Sequence, residues 1–283
     1  VNSVTAVGLN QIKVVFNTDV DEDSAERTAN YEIDGDYLGV VSQTQASAHL
    51  QDDGRTVVIT FRNPFSQGKN VTFKVKNNVL AEDSSSSITE YEKEVKFEET
   101  GSPSIESVTA VGGNKLKVKF SEAIRMDEDD VYSMKINQRS VKNYGLDTSY
   151  TELTDQCGDW ADGVDFYFNS ALPIGNNTFS VSDGTSQSKF DNAANIPIQS
   201  QSKNFTVESV AGSPQVEGVT SNNAGIIYIK YNRAMDTQTA LEPSNYKING
   251  TTLDVDDSDV TFDSGSGDSV VKIKNVGSML EQG

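Results

Sequence analysis

The 283-residue chain has one cysteine, one histidine and one tryptophan. A lone cysteine, Cys157, excludes an internal disulfide, so packing and hydrogen bonds must hold the fold. Its scarcity does not fix the compartment, because a reducing interior and an extracellular protein that avoids cysteine both fit. With one histidine, His49, a Ser-His-Asp or Cys-His machine is possible only if His49 meets its nucleophile across domains. His49 lies between Ala48 and Leu50 beside a turn, and a surface role is expected. Basic residues are also few: 23 Lys and Arg against 42 Asp and Glu give a net charge of −19 and a pI near 4.3. Such a chain repels nucleic acid and anionic membranes. No apolar run approaches the ~20 residues of a membrane span, so no membrane insertion is expected. No signal peptide, anchor motif or initiating Met is visible, and the chain reads as an excised fragment or a processed product. Apolar residues make up 35%, little for one deep core but enough for several small sandwiches.

What the chain does have is a repeated alternating stretch. Gln11-Ile12-Lys13-Val14-Val15-Phe16, Lys115-Leu116-Lys117-Val118-Lys119-Phe120 and Ile226-Ile227-Tyr228-Ile229-Lys230-Tyr231 each place a large apolar residue at every second position. A period of two describes a strand with one face in a core and one toward water. Val4-Thr5-Ala6-Val7-Gly8 precedes the first copy, Val108-Thr109-Ala110-Val111-Gly112 the second, and a weaker Val219-Thr220 the third. Ala29-Asn30-Tyr31-Glu32-Ile33 follows the first and Ser244-Asn245-Tyr246-Lys247-Ile248 the third, while the middle copy keeps only Tyr132 and Ile136. The offset from first to second copy is 104 (108 − 4), and from first to third it is 215 for both strand and Asn-Tyr motif (227 − 12, 246 − 31). A period of about 100 residues exceeds any solenoid unit and equals one small domain.

The repeat predicts three domains, 1–100, 101–212 and 213–283, joined at two short Gly-Ser-Pro linkers. β-branched and aromatic runs between Gly, Asn, Asp and Ser predict an all-β protein. In the first domain a helical turn is expected near Ser24–Arg27. Strands are expected at Tyr31–Ile33, Leu38–Val41, Thr56–Phe61, Val71–Val75 and Tyr91–Phe97, with a flexible loop at Ala81–Ser87. About seven strands per domain is an immunoglobulin-like count. The second domain carries an insertion near 143–163, then strands at Val164–Phe168, Thr178–Val181 and Asn204–Val207. The third reads as truncated at its C-terminal strands, leaving a sheet edge open. Linkers this short predict that neighbouring domains touch.

A search for chemistry finds little. Gln156-Cys157-Gly158-Asp159-Trp160 shares only some of the Cys-Gly-x-Cys-Trp box of papain-like proteases; the second Cys is absent and no His follows. Cys157 is expected as a small buried residue and Trp160 as a packing or contact residue. Acids are so numerous that chance pairs weaken any glycosidase argument, and Gly265-Ser266-Gly267 follows no phosphate-loop signature. Asp19-x-Asp21-x-Asp23 has the alternating acids of an EF-hand, but Ser24 and Asn30 stand where Gly and Glu are needed; Asp254-x-Asp256 fails likewise. Calcium needs only oxygens from any backbone context. In a seven-strand topology, loops Ser121–Asp130 and Asp183–Asn195 would lie at one pole of the second domain, facing the exit of the first. Glu98, Glu99, Asp127, Asp129, Asp130 and Asp191 are therefore the expected ligands if a metal binds at a junction; otherwise they form a solvated acidic face.

Val-Thr-Ala-Val-Gly, a Lys-rich strand ending in Phe, an acidic loop with Ser24-Ala25 and then Asn-Tyr together resemble the tandem immunoglobulin-like domains of bacterial surface-layer (S-layer) proteins. Asp191-Asn192-Ala193-Ala194-Asn195 is similar to the Asp-x-Ala-Gly-Asn stretch such domains carry before their last strand, with Ala194 in place of Gly. The resemblance implies tandem β-sandwiches, no catalysis, an extracellular place at a bacterial cell surface, self-assembly with copies of itself, and calcium as the cofactor of assembly. No wall-anchoring segment is present, so contact with cell-wall polymer would run through a segment outside this sequence. The same module occurs in adhesins and as an accessory part of secreted enzymes, so an adhesin or carbohydrate-binding module and a stalk of a secreted enzyme stay open here as alternatives.

Overall fold

Three times along the chain a first strand turns back onto the alternating strand and starts a sheet. The structure, a computed structural model, describes all residues except 40–44, 83–85, 183–189, 210–211, 223–224, 264, 277–278 and 280–283, and only the backbone of Glu128 and Asp129. In the first repeat the strands are β1 (Ser3–Val7), β2 (Gln11–Val15), β3 (Tyr31–Ile33), β4 (Asp36–Tyr37), β5 (Ala46–Leu50), β6 (Thr56–Phe61), β7 (Asn70–Val75) and β8 (Tyr91–Lys96). They form two antiparallel sheets, ordered β1-β2-β6-β5 and β4-β3-β7-β8. The second repeat has β9 (Ile105–Val111), β10 (Lys115–Arg125), β11 (Lys135–Ile136), β12 (Arg139–Ser140), β13 (Glu152–Thr154), β14 (Trp160–Tyr167), β15 (Gly175–Val181) and β16 (Gln201–Val207). Its sheets, β9-β10-β14-β13 and β12-β11-β15-β16, repeat the plan. The third has β17 (Val216–Ser221), β18 (Ile227–Tyr231), β19 (Lys247–Ile248), β20 (Thr251–Thr252), β21 (Val260–Phe262) and β22 (Val270–Ile273). They form one full sheet, β17-β18-β22-β21, and the pair β19-β20.

The period-two rows face inward as their spacing requires. Ile12, Val14 and Phe16 pack with Val57, Ile59 and Phe61 against Tyr31, Ile33, Val71, Phe73 and Val75 of the opposite sheet. Leu116, Val118 and Phe120 do the same with Phe166, Ile136 and Phe179. The chain resolves into two units: Val1–Ala110 with Asn114–Val207, and Val111–Gly113 with Glu208–Gly283. The first two sandwiches thus pack together as one.

The Asn-Tyr motif recurs because it closes a helix too short to hold itself. α1 (Glu22–Ala25) is capped by Asp21, whose carboxylate accepts from Ser24 N at 2.9 Å. Its C-terminal carbonyls are taken by side chains: Asn30 Nδ2 donates to Ser24 O at 2.7 Å and the Tyr31 hydroxyl to Ala25 O. The third repeat copies each contact. Asp236 caps α3 (Thr237–Ala240), Asn245 Nδ2 donates to Thr239 O at 2.8 Å, and the Tyr246 hydroxyl to Ala240 O. The middle repeat lacks the motif; there Asp127 and Asp130 form a capping box at the N-terminus of α2 (Glu128–Ser133).

Several expectations shift. The helical turn lies at Glu22–Ala25, one cap earlier than Ser24–Arg27, because Asp21 is the stronger N-cap. The strand expected at Leu38–Val41 forms at Asp36–Tyr37, with residues 40–41 outside the described set. Portions of the expected loop Ala81–Ser87 and of the second linker, at Ala211, also lie outside it. β5 was not anticipated; Ala46-Ser47-Ala48-His49-Leu50 has no large alternating residues, and His49 sits half-buried within it. The strand expected from Val164 begins at Trp160. The first two repeats have eight strands each where seven were expected.

The Tyr31 contact is fully buried and that of Tyr246 only half-buried. Tyr31→Phe should cost its unit about 1 kcal/mol in urea unfolding, and Tyr246→Phe distinctly less.

Candidate functional site at the joint between the first two repeats

The joint is built on the C-terminal half of β10. Its register against β14 shifts between Lys119 and Ile124, a bulge that re-aims Ser121–Arg125. Gln11, 2% exposed at the start of β2, bridges the two repeats: Nε2 donates to Thr60 Oγ1 at 2.9 Å, and Oε1 accepts from Ala123 N at 2.6 Å. On one side the Trp160 indole donates to Arg62 O at 3.0 Å, with the Arg125 guanidinium 4.9 Å from the ring. Elsewhere Gln51 donates to Asp155 at 2.8 Å and Lys117 Nζ lies 2.8 Å from Asp52. Lys119 stands 3.5 Å from Asp155 and 3.6 Å from buried Asp162. Burial, then the charge of Asp155, push the Asp162 carboxyl well up, and Lys119 opposes them. Ala193 and Ala194 of the Asp191–Asn195 stretch pack onto the core of the first repeat.

At the centre two carboxyl groups face each other over a glycine. A Cβ on Gly8 would lie 2.7 Å from Glu122 Oε2 and 2.9 Å from Glu99 Oε2, and Gly8 has a φ of +56°. The left-handed backbone favours glycine there, and a Cβ would press on the ends of both carboxyl side chains. Neither Oε2 meets a donor. Glu99 Oε1 accepts the N–H groups of Thr100 and Gly101 at 2.8 and 2.9 Å. Glu122 Oε1 has Asn192 Nδ2 at 3.4 Å, an amide that also donates to Gly101 O at 3.3 Å. Two acceptors in this position bond only if one carries a proton. Burial first, then the acid–acid hydrogen bond with Glu99 and its charge, push Glu122 up to about 8, against a weaker downward pull from Asn192. The raised Glu122 carboxyl favours its protonated form, which can then donate toward Glu99.

Of the six expected ligands, only Glu99 stands in this pair. Glu98 lies 3.0 Å from Lys96. Asp127 and Asp130 are spent on capping α2. Asp191 pairs with Arg125 at 3.6 Å. The side chain of Asp129 lies outside the described residues. Among the described residues no group of three or more His, Cys, Asp or Glu is placed to hold a metal. Cys157 is buried, and burial pushes its thiol up, away from the thiolate. Trp160 is both a packing and a contact residue, its contact being with the preceding repeat. Gln11 and Glu122 were not anticipated. Glu122 is one acid among 42, and no pattern sets it apart.

Two packed antiparallel sheets per repeat, in this strand order, place the first two repeats in the class of immunoglobulin-like β-sandwiches. Residues 1–99 match the family model of the bacterial Ig-like domain. A 127-residue stretch is 31% identical to an outer cell wall protein of Brevibacillus brevis, covering 44% of this chain and 11% of that protein. Among solved structures, the N-terminal part of the bacterial S-layer protein SbsC aligns with 74% of this chain and 43% of its own, at 12% identity and a TM-score of 0.30. A structure of SbsC domains 1–6 aligns with 96% of this chain and 50% of its own, at 11% identity and a TM-score of 0.32. The chain thus spans half or less of the length of each of these proteins.

Glu122 sets a pH dependence with a definite sign. Its folded pKa lies above the ordinary 4.5, so its contribution is fully present below 4.5 and is lost as pH rises through about 8. The first unit should lose stability across that window in thermal melts, and Glu122→Gln should flatten the slope. Gly8→Ala should cost about 1–3 kcal/mol in the same unit, from the left-handed backbone and the clash with both carboxyls.

Proposed function

We propose that this chain is a non-catalytic, structural segment of a self-assembling bacterial surface layer, working outside the cell as a rigid spacer that touches copies of itself. The observation that carries the reading is the buried joint, which turns two sandwiches into one unit through Gln11, Trp160 and the Glu99–Glu122 pair. The match of residues 1–99 to a bacterial Ig-like domain and the outer cell wall relative support it. Attachment to cell-wall polymer would belong to a segment outside this sequence.

Calcium stabilisation belongs to the same proposal. The orphaned Oε2 atoms of Glu99 and Glu122 fit a hard cation, which takes oxygen ligands and offsets like charges. These two residues would hold it; Glu98, Asp127, Asp130 and Asp191 are engaged elsewhere. A cation there would compete with the proton on Glu122, so its grip would tighten as pH rises.

Calorimetry with calcium and with chelator tests the cation. Calcium should raise the melting temperature of the first unit in the native chain and leave the Glu99→Gln, Glu122→Gln variant unmoved; equal shifts in both would remove calcium from this joint. Electron microscopy of the chain at high concentration should show ordered sheets or strings. A monodisperse monomer under every condition would count against assembly through this segment.

A further inference from the structure

A lysine and two aspartates meet where β10, β13 and β14 lie side by side. Lys119 of β10 stands directly opposite Gly163 of β14. A Cβ on Gly163 would strike Val118 O and Thr154 Oγ1, so glycine lets the three strands close. Asp162 precedes that glycine and is 3% exposed. Asp155 follows β13 with a φ of +52°, in a region that non-glycine residues seldom enter. The Lys119 amine lies 3.5 Å from Asp155 Oδ2 and 3.6 Å from Asp162 Oδ2.

Each group is held for a different task. The Thr154 hydroxyl donates to Asp162 Oδ1 at 3.5 Å, leaving Oδ2 toward the amine. Asp155 and Asp162 hydrogen-bond to each other, and Gln51 of the preceding repeat donates to Asp155 Oδ2 at 2.8 Å. Burial, then the charge of Asp155, push the Asp162 carboxyl well up against the pull of Lys119. That favours the neutral acid, the form an amine can attack. Burial draws the Lys119 amine down, but the carboxyl groups of Asp162 and Asp155 raise it overall, so it rests as an ammonium. It therefore needs a base, and Asp155 is beside it. Nucleophile, base and acyl carbon stand together, as acyl transfer requires.

We propose that Lys119 and Asp162 condense to an intramolecular amide, Nζ to Cγ, that fastens β10 covalently to β14. Asp155 takes a proton from the ammonium, and the freed amine attacks Asp162 Cγ. The C–N bond forms, the Cγ–Oδ2 bond breaks, and Oδ2 leaves as water. That water carries the acid's own hydrogen and one more from the amine nitrogen; nothing is oxidised or reduced. Oδ1, held by Thr154, becomes the amide oxygen. Groups held in such contact react at effective concentrations of ~10⁵–10⁸ M, which drives a condensation that free lysine and aspartate do not undergo in water. The bond needs neither a cation nor a second copy of the chain.

Intact-mass spectrometry of the full chain, fresh and after days at neutral pH, tests this. The chain should come to weigh one water less than its sequence. Trypsin should fail to cut after Lys119, and tandem spectra should show a branched peptide joined from Lys119 to Asp162. Lys119→Arg and Asp155→Ala should each keep the water. A native chain that stays at its full sequence mass overturns the proposal. So does a lost water that maps to a succinimide at Asp162–Gly163, with Lys119 still cut, or a branch that ends on Asp155. An Asp155→Ala chain that forms the branch as fast as the native one also overturns it, since no base would then be at work.

Discussion

Each sandwich stands only where two sheets close on each other's apolar rows. A buried Ile, Val or Phe contributes roughly 1.5–3 kcal/mol relative to exposure, and a single sheet has nowhere to bury such a row. In the first repeat Ile12, Val14 and Phe16 are nearly sealed because β3, β7 and β8 lie over them. The helix caps, the Asn-Tyr motif and the turns all serve to bring that second sheet back across the first. The third repeat is the control within the same chain. Its row, Ile227 and Ile229, remains 8–9% exposed under a partial cover.

Between the first two repeats the same requirement takes a polar form. Gln11, Trp160 and Asn192 are all buried, and each satisfies a group on the other repeat or in the linker. Removing one of these partners would strand a buried donor or acceptor, which costs more than the bond itself contributes. The sandwiches are thereby held in one arrangement and not merely pressed together. The Glu99–Glu122 pair is the exception, since its two Oε2 atoms have no donor among the described residues.

The fold was legible because its signal is periodic. Alternating rows, a constant offset of 215 and the Asn-Tyr motif are local patterns, and the structure gives each a contact. β5 was not legible, since its small residues carry no alternation and it forms only because β6 offers an edge. The joint was only partly legible. Glu98 and Glu99 were placed at the exit and Asp191–Asn195 opposite them, but the working residues of that stretch are Asn192 and the two alanines. Gln11 and Glu122 act through a bulge in β10, and the residues alone do not announce a bulge.

The lysines that join β8 to β1 and β16 to β9 have a mechanical consequence. A pull along the polypeptide enters the first repeat at β1 and leaves at β8, two strands of opposite sheets that lie against each other. Lys93 ties them at Val4, and Lys203 ties the matching strands of the second repeat. Tension therefore loads the contact between the two packed layers and the lysine's hydrogen bond together. Resistance to stretching is then governed by the height of the barrier to parting them, not by the net stability of the domain.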